Sequence, residues 1–236
     1  MKKKILIITP FLLLIAAIAL WQIGKSRTFQ FFGSITPRIN TNEKFIALTF
    51  DDGPTVNGTP EILKILDETQ VKATFFLIGA ELEQNLAEGR KIVAAGHEIG
   101  NHSYSHIRML LVSPSFVQEE IEKTDRLIRE SGYSKEIHFR PPYCKKLFTL
   151  PWYLSQTGRK TITWDVEPDS DPKIAADSRK IVEVTRTDAR PGSIILLHAM
   201  YPNRQPSLQA VRGIIETLKQ DGYRFTTVSE LLTAAH

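Results

Sequence analysis

Asp51 and Asp52 stand side by side at the end of an apolar run, Phe45 to Phe50, and Gly53-Pro54 turns the chain immediately after them. Neighbouring side chains on a strand point to opposite faces, so the two cannot do the same job. At a strand end both can still reach one cleft. Two adjacent like charges are costly unless a cation lies between them, and a metal ion or an arginine would serve. The second cluster is Gly100-Asn101-His102-Ser103-Tyr104-Ser105-His106. Its two histidines, four apart, share a face if the stretch is a helical turn. Neutral imidazoles and one carboxylate make a three-ligand site with positions left for water. The helix of zinc proteases carries Glu after its first histidine, but Ser103 stands here, so Asp51 is the available general base.

Three further stretches hold reactive groups. In Phe139-Arg140-Pro141-Pro142-Tyr143 the arginine can neutralise an aspartate, and two prolines stiffen the turn. Trp164-Asp165-Val166-Glu167-Pro168-Asp169-Ser170-Asp171 is strongly acidic and taken alone reads as a solvated loop. Ile194 to Leu197 is an apolar strand that ends in His198, whose pKa can be tuned for acid catalysis near neutrality. Cys144, the single cysteine, excludes an internal disulfide and a zinc–cysteine cluster. It has no nearby base that would make it a nucleophile.

These groups need elements to hold them. Strands are expected at Phe45–Phe50, Ala73–Leu77, Glu98–Gly100, His138–Arg140, Thr161–Asp165, Ser193–His198 and Phe225–Val228. Helices are expected from Thr59, over Leu86–Ala95, Ser113–Glu130, Asp177–Asp188 and Ser207–Gln220, and from Ser229, with Pro60 and Pro114 at starts and Gly96 and Gly132 at stops. Strands joined by helical crossovers form a parallel sheet with helices outside. Reactive groups follow five strands at their C-terminal ends, the convergence that a barrel provides. Neither Gly-x-Gly-x-x-Gly nor a phosphate loop occurs, so no nucleotide cofactor is expected.

The formal charge is +4, but Lys2, Lys3, Lys4, Lys25 and Arg27 fall in the first 27 residues, which hold no acid. Setting those five aside leaves 25 basic against 26 acidic residues, which excludes a nucleic-acid-binding surface. Three lysines followed by an apolar run from Ile5 to about Ile23 read as a signal anchor or signal peptide over 1–23. The run continues past Ala16–Ala19, which favours the uncleaved anchor. Lysines held in the cytoplasm put the domain outside the membrane. Residues 24–43 read as a linker whose Phe29, Phe31 and Phe32 could meet the membrane or pack on the domain, and 44–236 as the catalytic domain.

Taken in order, Thr-Phe-Asp-Asp-Gly-Pro, His-Ser-x-x-His, Arg-Pro-Pro-Tyr, an acidic fourth motif and Leu-Leu-His resemble the polysaccharide deacetylase family, the NodB-homology domain of carbohydrate esterase family 4. The resemblance runs from Lys44 to Leu232. It implies a distorted, incomplete (β/α)7-type barrel, here preceded by one N-terminal hydrophobic helix. It also implies a divalent metal, zinc in the first instance with cobalt or another ion as alternatives, on Asp52, His102 and His106. By the same resemblance Asp51 is the general base, Arg140 positions it, Tyr143 gives an oxyanion N–H and His198 is the general acid. Leu196 lines the acetyl pocket, with Tyr143 and Trp164 at the substrate.

The implied activity is removal of N-acetyl groups from an amino-sugar polysaccharide, cell-wall peptidoglycan or a chitin-like oligomer. An O-deacetylase on acetylated xylan and a glycan-binding module with a decayed site are the alternatives. Iron oxygenases use the same ligand set, but the βα alternation argues against them. Two departures stand out. Cys144 occupies the place of a glycine. The fourth motif lacks the family's Asp-Trp pair, whose places, counted from Trp164, fall near Ser170 and Asp171. Asp165, Glu167, Asp169 or Asp171 is left to supply the carboxylate that supports His198, and the aromatic wall is missing.

Overall fold

The computed structural model describes residues 2–234, with side chains from Pro10 onward. Helix α1, Lys2–Gly24, comes first. The anchor expected over 1–23 falls partly on residues up to Thr9, whose side chains lie outside the described set. Among the described residues no helix is long and apolar enough to cross a membrane. The body then runs β1 (Ile35–Thr36), β2 (Phe45–Asp51), α2 (Gly58–Glu68), β3 (Thr74–Leu77), α3 (Gly79–Gln84), α4 (Leu86–Ala94), β4 (Glu98–Asn101) and α5 (Pro114–Glu130). After these come α6 (Thr149–Gln156), β5 (Thr161–Ile162), α7 (Ser178–Asp188), β6 (Ile194–Leu197), α8 (Gln205–Gln220), β7 (Arg224–Thr226) and α9 (Val228–Thr233).

The strands are parallel and ordered β4-β3-β2-β6. Phe139 bridges Asn101 of β4 to Thr161 of β5, and Val166 bridges to Ile195 of β6, so the ring closes through single pairs. β7 pairs Phe45–Ala47, the lower half of β2, and β3 pairs the upper half, Thr49–Asp51. This is the irregular barrel that the resemblance implies. The strand expected at His138–Arg140 is reduced to those bridges of Phe139.

Period-two alternation sorts each strand. Ile46, Leu48 and Phe50 of β2, Phe75 and Leu77 of β3 and Ile195 and Leu197 of β6 face the helices in one apolar layer. Ala47, Phe76, Ile194 and Leu196 face the barrel interior. The inward column of β2 is therefore Ala47, Thr49, Asp51, and that of β6 is Ile194, Leu196, His198. Each column ends in a reactive group at the C-terminal rim. The outer layer clamps these columns, because each fully buried Leu or Ile contributes about 1.5–3 kcal/mol. Leu48→Ala, inside that layer, would cost about 2–5 kcal/mol.

Helix starts follow local chemistry. Ser113 accepts a hydrogen bond from the Phe116 N–H with Pro114 at the first turn of α5, and Thr227 and Glu230 form a reciprocal capping box on α9. Residues 24–43 do not hang free as a linker. Ile35 and Thr36 pair with β5, the Lys146 N–H donates to the Gly24 carbonyl at 2.9 Å, and the Thr163 hydroxyl donates to the Arg27 carbonyl at 2.7 Å. Phe31 stacks on Phe148 at 4.8 Å between ring centres. The Ile39 N–H donates to the Gly192 carbonyl at 2.9 Å. A Cβ on Gly192, at φ 81, would lie 1.9 Å from the Ile39 carbonyl oxygen, so only glycine permits that approach.

Candidate metal centre and catalytic cleft

The C-terminal rim opens into a cleft of about 590 Å³ whose lining includes Asp51, Asp52, His102, His106, Tyr143 and His198. Asp51 is the last residue of β2 and almost wholly buried. Its Oδ1 accepts from Arg140 at 2.6 Å, and its Oδ2 lies 3.6 Å from His102 Nε2. Arg140 is completely buried. It also donates to the Thr49 hydroxyl at 2.8 Å and to the Ile162 and Thr163 carbonyls, and its guanidinium lies 4.0 Å from the centre of the Phe76 ring. An arginine held this way fixes one carboxylate oxygen and leaves the other for chemistry.

Asp52 leaves the strand with φ 76, which turns its side chain from the helix face toward the histidine loop. The two histidines are not on a helical turn. Residues 102–108 form a loop in which Ser103 and His106 have φ of 63 and 56. Glu120 accepts from the Tyr104 and Ser105 N–H groups at 3.0 and 2.8 Å, Asn101 Oδ1 accepts from the Ser103 N–H, and the Ser103 hydroxyl accepts from the His106 N–H. These bonds hold the left-handed backbone that brings the two rings to 4.9 Å.

One ligand atom each from Asp52, His102 and His106 lies within 4.8 Å of the others. His106 Nε2 is 3.4 Å and His102 Nε2 3.9 Å from Asp52 Oδ1. Burial pushes both imidazoles down to about 3, so these contacts are not ion pairs at neutral pH. The His102 Nδ1–H donates to the Arg140 carbonyl at 2.8 Å, which leaves the Nε2 lone pair facing Asp52. Asp52 Oδ1 is buried and has no hydrogen-bond partner. Burial, with Asp51 and Glu81 adding to it, pushes this carboxyl up to about 7. Neutral imidazoles and an orphaned buried carboxylate oxygen are a donor set that fits a divalent cation.

Across the cleft, His198 Nδ1 lies 3.3 Å from Asp169 Oδ1. Asp169 is fully buried, and its Oδ2 accepts from the His198 N–H at 2.6 Å and the Ser207 hydroxyl at 2.9 Å. Burial alone would pull His198 down. The Asp169 carboxylate, helped by Asp51 and Asp52, outweighs it and holds the ring up at about 9.

The four acids that the sequence left open thus separate. Asp165 accepts from the Ile194 N–H and the Ser193 hydroxyl at the barrel seam. Glu167 accepts from the Trp164 indole N–H at 2.7 Å and pairs with Arg27. Asp171 accepts from the Lys173 N–H in its own loop. Asp169 supports the histidine, so the fourth-motif pair sits one place earlier than counted, at Asp169 and Ser170. A short 3₁₀ turn over Pro168–Ser170 carries both residues.

Leu196, Trp164 and Tyr143 all border the cleft. Tyr143 has φ 55, and its ring centre is 4.7 Å from that of His106. Cys144 also lines the cleft at φ 55, in the left-handed region that suits the glycine it replaces. Burial pushes its thiol up, which makes it a poor nucleophile. Sequence reasoning missed Thr49 as Arg140's partner and Glu120 as the clasp on the histidine loop. It also missed Lys25 and Arg27, which reach the cleft from a segment read as a linker.

A parallel α/β barrel with an Asp/His/His cation site at its C-terminal rim, a second carboxylate clamped by arginine and a histidine–aspartate pair opposite defines the class of metal-dependent hydrolases. Within it, the model of the polysaccharide deacetylase family matches residues 38–162, and this chain belongs to that family. A peptidoglycan-N-acetylglucosamine deacetylase of Bacillus cereus is 33% identical over 204 residues, which cover 86% of this chain and 95% of that protein. A chitooligosaccharide deacetylase of Sinorhizobium fredii is 35% identical over 163 residues, covering 69% of this chain and 75% of the relative. Among solved structures, a family 4 acetyl xylan esterase from Clostridium thermocellum, in complex with a cobalt ion, superposes with a TM-score of 0.74 at 35% identity. That match covers 81% of this chain and 91% of the other.

Proposed function

We propose that this protein hydrolyses N-acetyl groups from an amino-sugar polysaccharide of the cell wall, releasing acetate and a free amino sugar. The observation that carries the reading is the placement of two groups across one cleft: Asp51, with Oδ1 held by Arg140 and Oδ2 left for a proton, and His198, with its proton held by Asp169. A divalent ion on Asp52, His102 and His106, which we take to be zinc, would polarise the acetyl carbonyl and make a water more acidic. Asp51 Oδ2 accepts the proton of the attacking water while Arg140 holds Oδ1. The Tyr143 N–H sits on a rigid Pro-Pro turn, where it meets the developing oxyanion. Leu196 gives the acetyl methyl an apolar wall. His198 delivers its proton to the leaving amine, which is a poor leaving group unless protonated.

The named relatives act on peptidoglycan and on chitooligosaccharide, which supports an N-acetylglucosamine polymer as substrate. The lysine-led apolar leader supports a chain tethered at the membrane with its cleft outside the cytoplasm. The test is a panel of peptidoglycan, N-acetylglucosamine oligomers and acetylated xylan, assayed for acetate with zinc and with cobalt. Acetate from the two amino-sugar polymers well in excess of that from xylan supports the reading, and the reverse preference makes the protein an O-deacetylase.

A further inference from the structure

The cleft wall beside Tyr143 carries more positive charge than the hydrolysis uses. Lys25 and Lys145 both line the cleft, and the Arg108 guanidinium lies 4.8 Å from the centre of the Tyr143 ring. Among the described residues none of these three side chains makes an ion pair. The other two basic residues of the lining are engaged: Arg27 pairs with Glu167, and Arg204 donates to the Asp169 carbonyl at 3.1 Å. Lys145 lies 4.4 Å from the centre of the Trp21 ring, and its ammonium pKa is lowered by burial and by Lys25 and Arg108 beside it. Crowded cations with no acid among them are disfavoured in the folded chain, which calls for an anion that arrives with a ligand.

The cluster is assembled. Lys25 lies outside the stretch matched by the family model. Two bonds pin its segment to the Cys144–Lys146 loop: the Lys146 N–H donates to the Gly24 carbonyl at 2.9 Å, and the Lys146 ammonium donates to the Ser26 carbonyl at 2.5 Å. Tyr143 links the cluster to His106, one of the three candidate ligands, through ring contact.

We propose that Lys25, Arg108 and Lys145 form an anion subsite that binds a carboxylate on the sugar next to the acetamido sugar being hydrolysed. This rests on the deacetylase reading and narrows it to acidic glycans. Neutral N-acetylglucosamine oligomers would occupy the catalytic centre without engaging the three cations. A carboxylate on a peptide side branch is the other source of the same chemistry.

The experiment uses the full chain in detergent with zinc and three glycans. They are peptide-free alternating N-acetylglucosamine–N-acetylmuramic acid, the same glycan with its carboxylates reduced to alcohols, and the peptide-bearing glycan. KM is measured from acetate release. Affinity is measured by calorimetry on the His198→Gln chain, where turnover is slowed and the three cations are untouched. We expect KM and Kd for the peptide-free glycan to be about tenfold lower than for its reduced form, the scale of a few charge-assisted contacts. The gap should close to below about twofold in the Lys25→Gln/Arg108→Gln/Lys145→Gln chain. Equal affinity for native and reduced glycan, selectivity only for the peptide-bearing one, or a gap that survives the triple substitution would each overturn the subsite. Carboxylate-selective binding without acetate release would keep the subsite and overturn the deacetylase reading.

Discussion

Two buried carboxylate–histidine sets stand at opposite ends of one barrel. At the C-terminal rim Asp52 faces His102 and His106 across 3.4 to 3.9 Å, with its Oδ1 unbonded. At the base Glu98 accepts from the Thr74 hydroxyl at 2.7 Å and from the Ser229 hydroxyl and N–H at 2.5 and 3.1 Å, and His138 Nε2 lies 3.0 Å from that same hydroxyl. Both sets pair a carboxylate with imidazole, and Asp52, His102, Glu98 and His138 are all buried. What differs is the satisfaction of the carboxylate, for at the base it is His138 Nδ1, 3.6 Å from Glu136, that lacks a hydrogen-bond partner. The basal carboxylate has both oxygens bonded by the protein, so it joins α9 to β3 and β4. The rim carboxylate is left with an oxygen that no protein group bonds, beside a cleft that a cation or a ligand can enter. Unspent bonding capacity beside an opening separates a site from a structural polar core, and it agrees with the division of barrels into a catalytic and a stabilising end.

Substitutions at the two ends should therefore fail in different ways. Asp52→Ala and His102→Ala should lower deacetylation by about a thousandfold or more and abolish tight zinc binding, measured by acetate release and metal content. The melting temperature of metal-free Asp52→Ala should not fall, because an unsatisfied buried carboxylate is removed. His198→Ala should cost about 10² to 10⁴ in kcat. Asp169→Asn should cost about ten- to a hundredfold.

The sign of the pH effect is fixed by the geometry. His198 acts while protonated, and Asp169 holds its pKa up at about 9. Activity should thus fall as pH rises past about 9, and Asp169→Asn should move that alkaline limb to lower pH in a kcat profile. Glu98→Ala should behave in the opposite manner to Asp52→Ala. It should lose about 2–3 kcal/mol of stability in denaturant unfolding while activity per folded molecule is kept. The smallest effect is expected at Cys144→Gly, within about 1 kcal/mol, because relief of the left-handed backbone offsets the lost burial of the thiol.

The rim was legible in sequence because its ligands sit within short motifs at strand ends. Asp51-Asp52 and His102 to His106 are contiguous, and the strand period places Asp51 on the inward column. What was not legible depends on contacts between distant segments. Asp169 was one of four equivalent-looking acids until the 3₁₀ turn aimed it at His198. The histidines do not share the face of a helical turn, because Glu120, on α5, holds their loop in a left-handed form that spacing cannot announce. α3 and α6 escaped notice because one has six residues and the other carries Pro151 near its start. The basal set was invisible for the same reason, since Thr74, Glu98, His138 and Ser229 come from four separate segments.

The central claim is that the rim set performs metal-assisted N-deacetylation with Asp51 as base. Its most direct test is acetate release from N-acetylglucosamine oligomers by the zinc-loaded chain, with Asp51→Asn beside it and bound zinc quantified in both. About one zinc per chain is expected in both proteins, with turnover by the wild type and a loss of about a thousandfold or more in Asp51→Asn. Wild type and variant equally inert with zinc fully bound, or equally active, would contradict it.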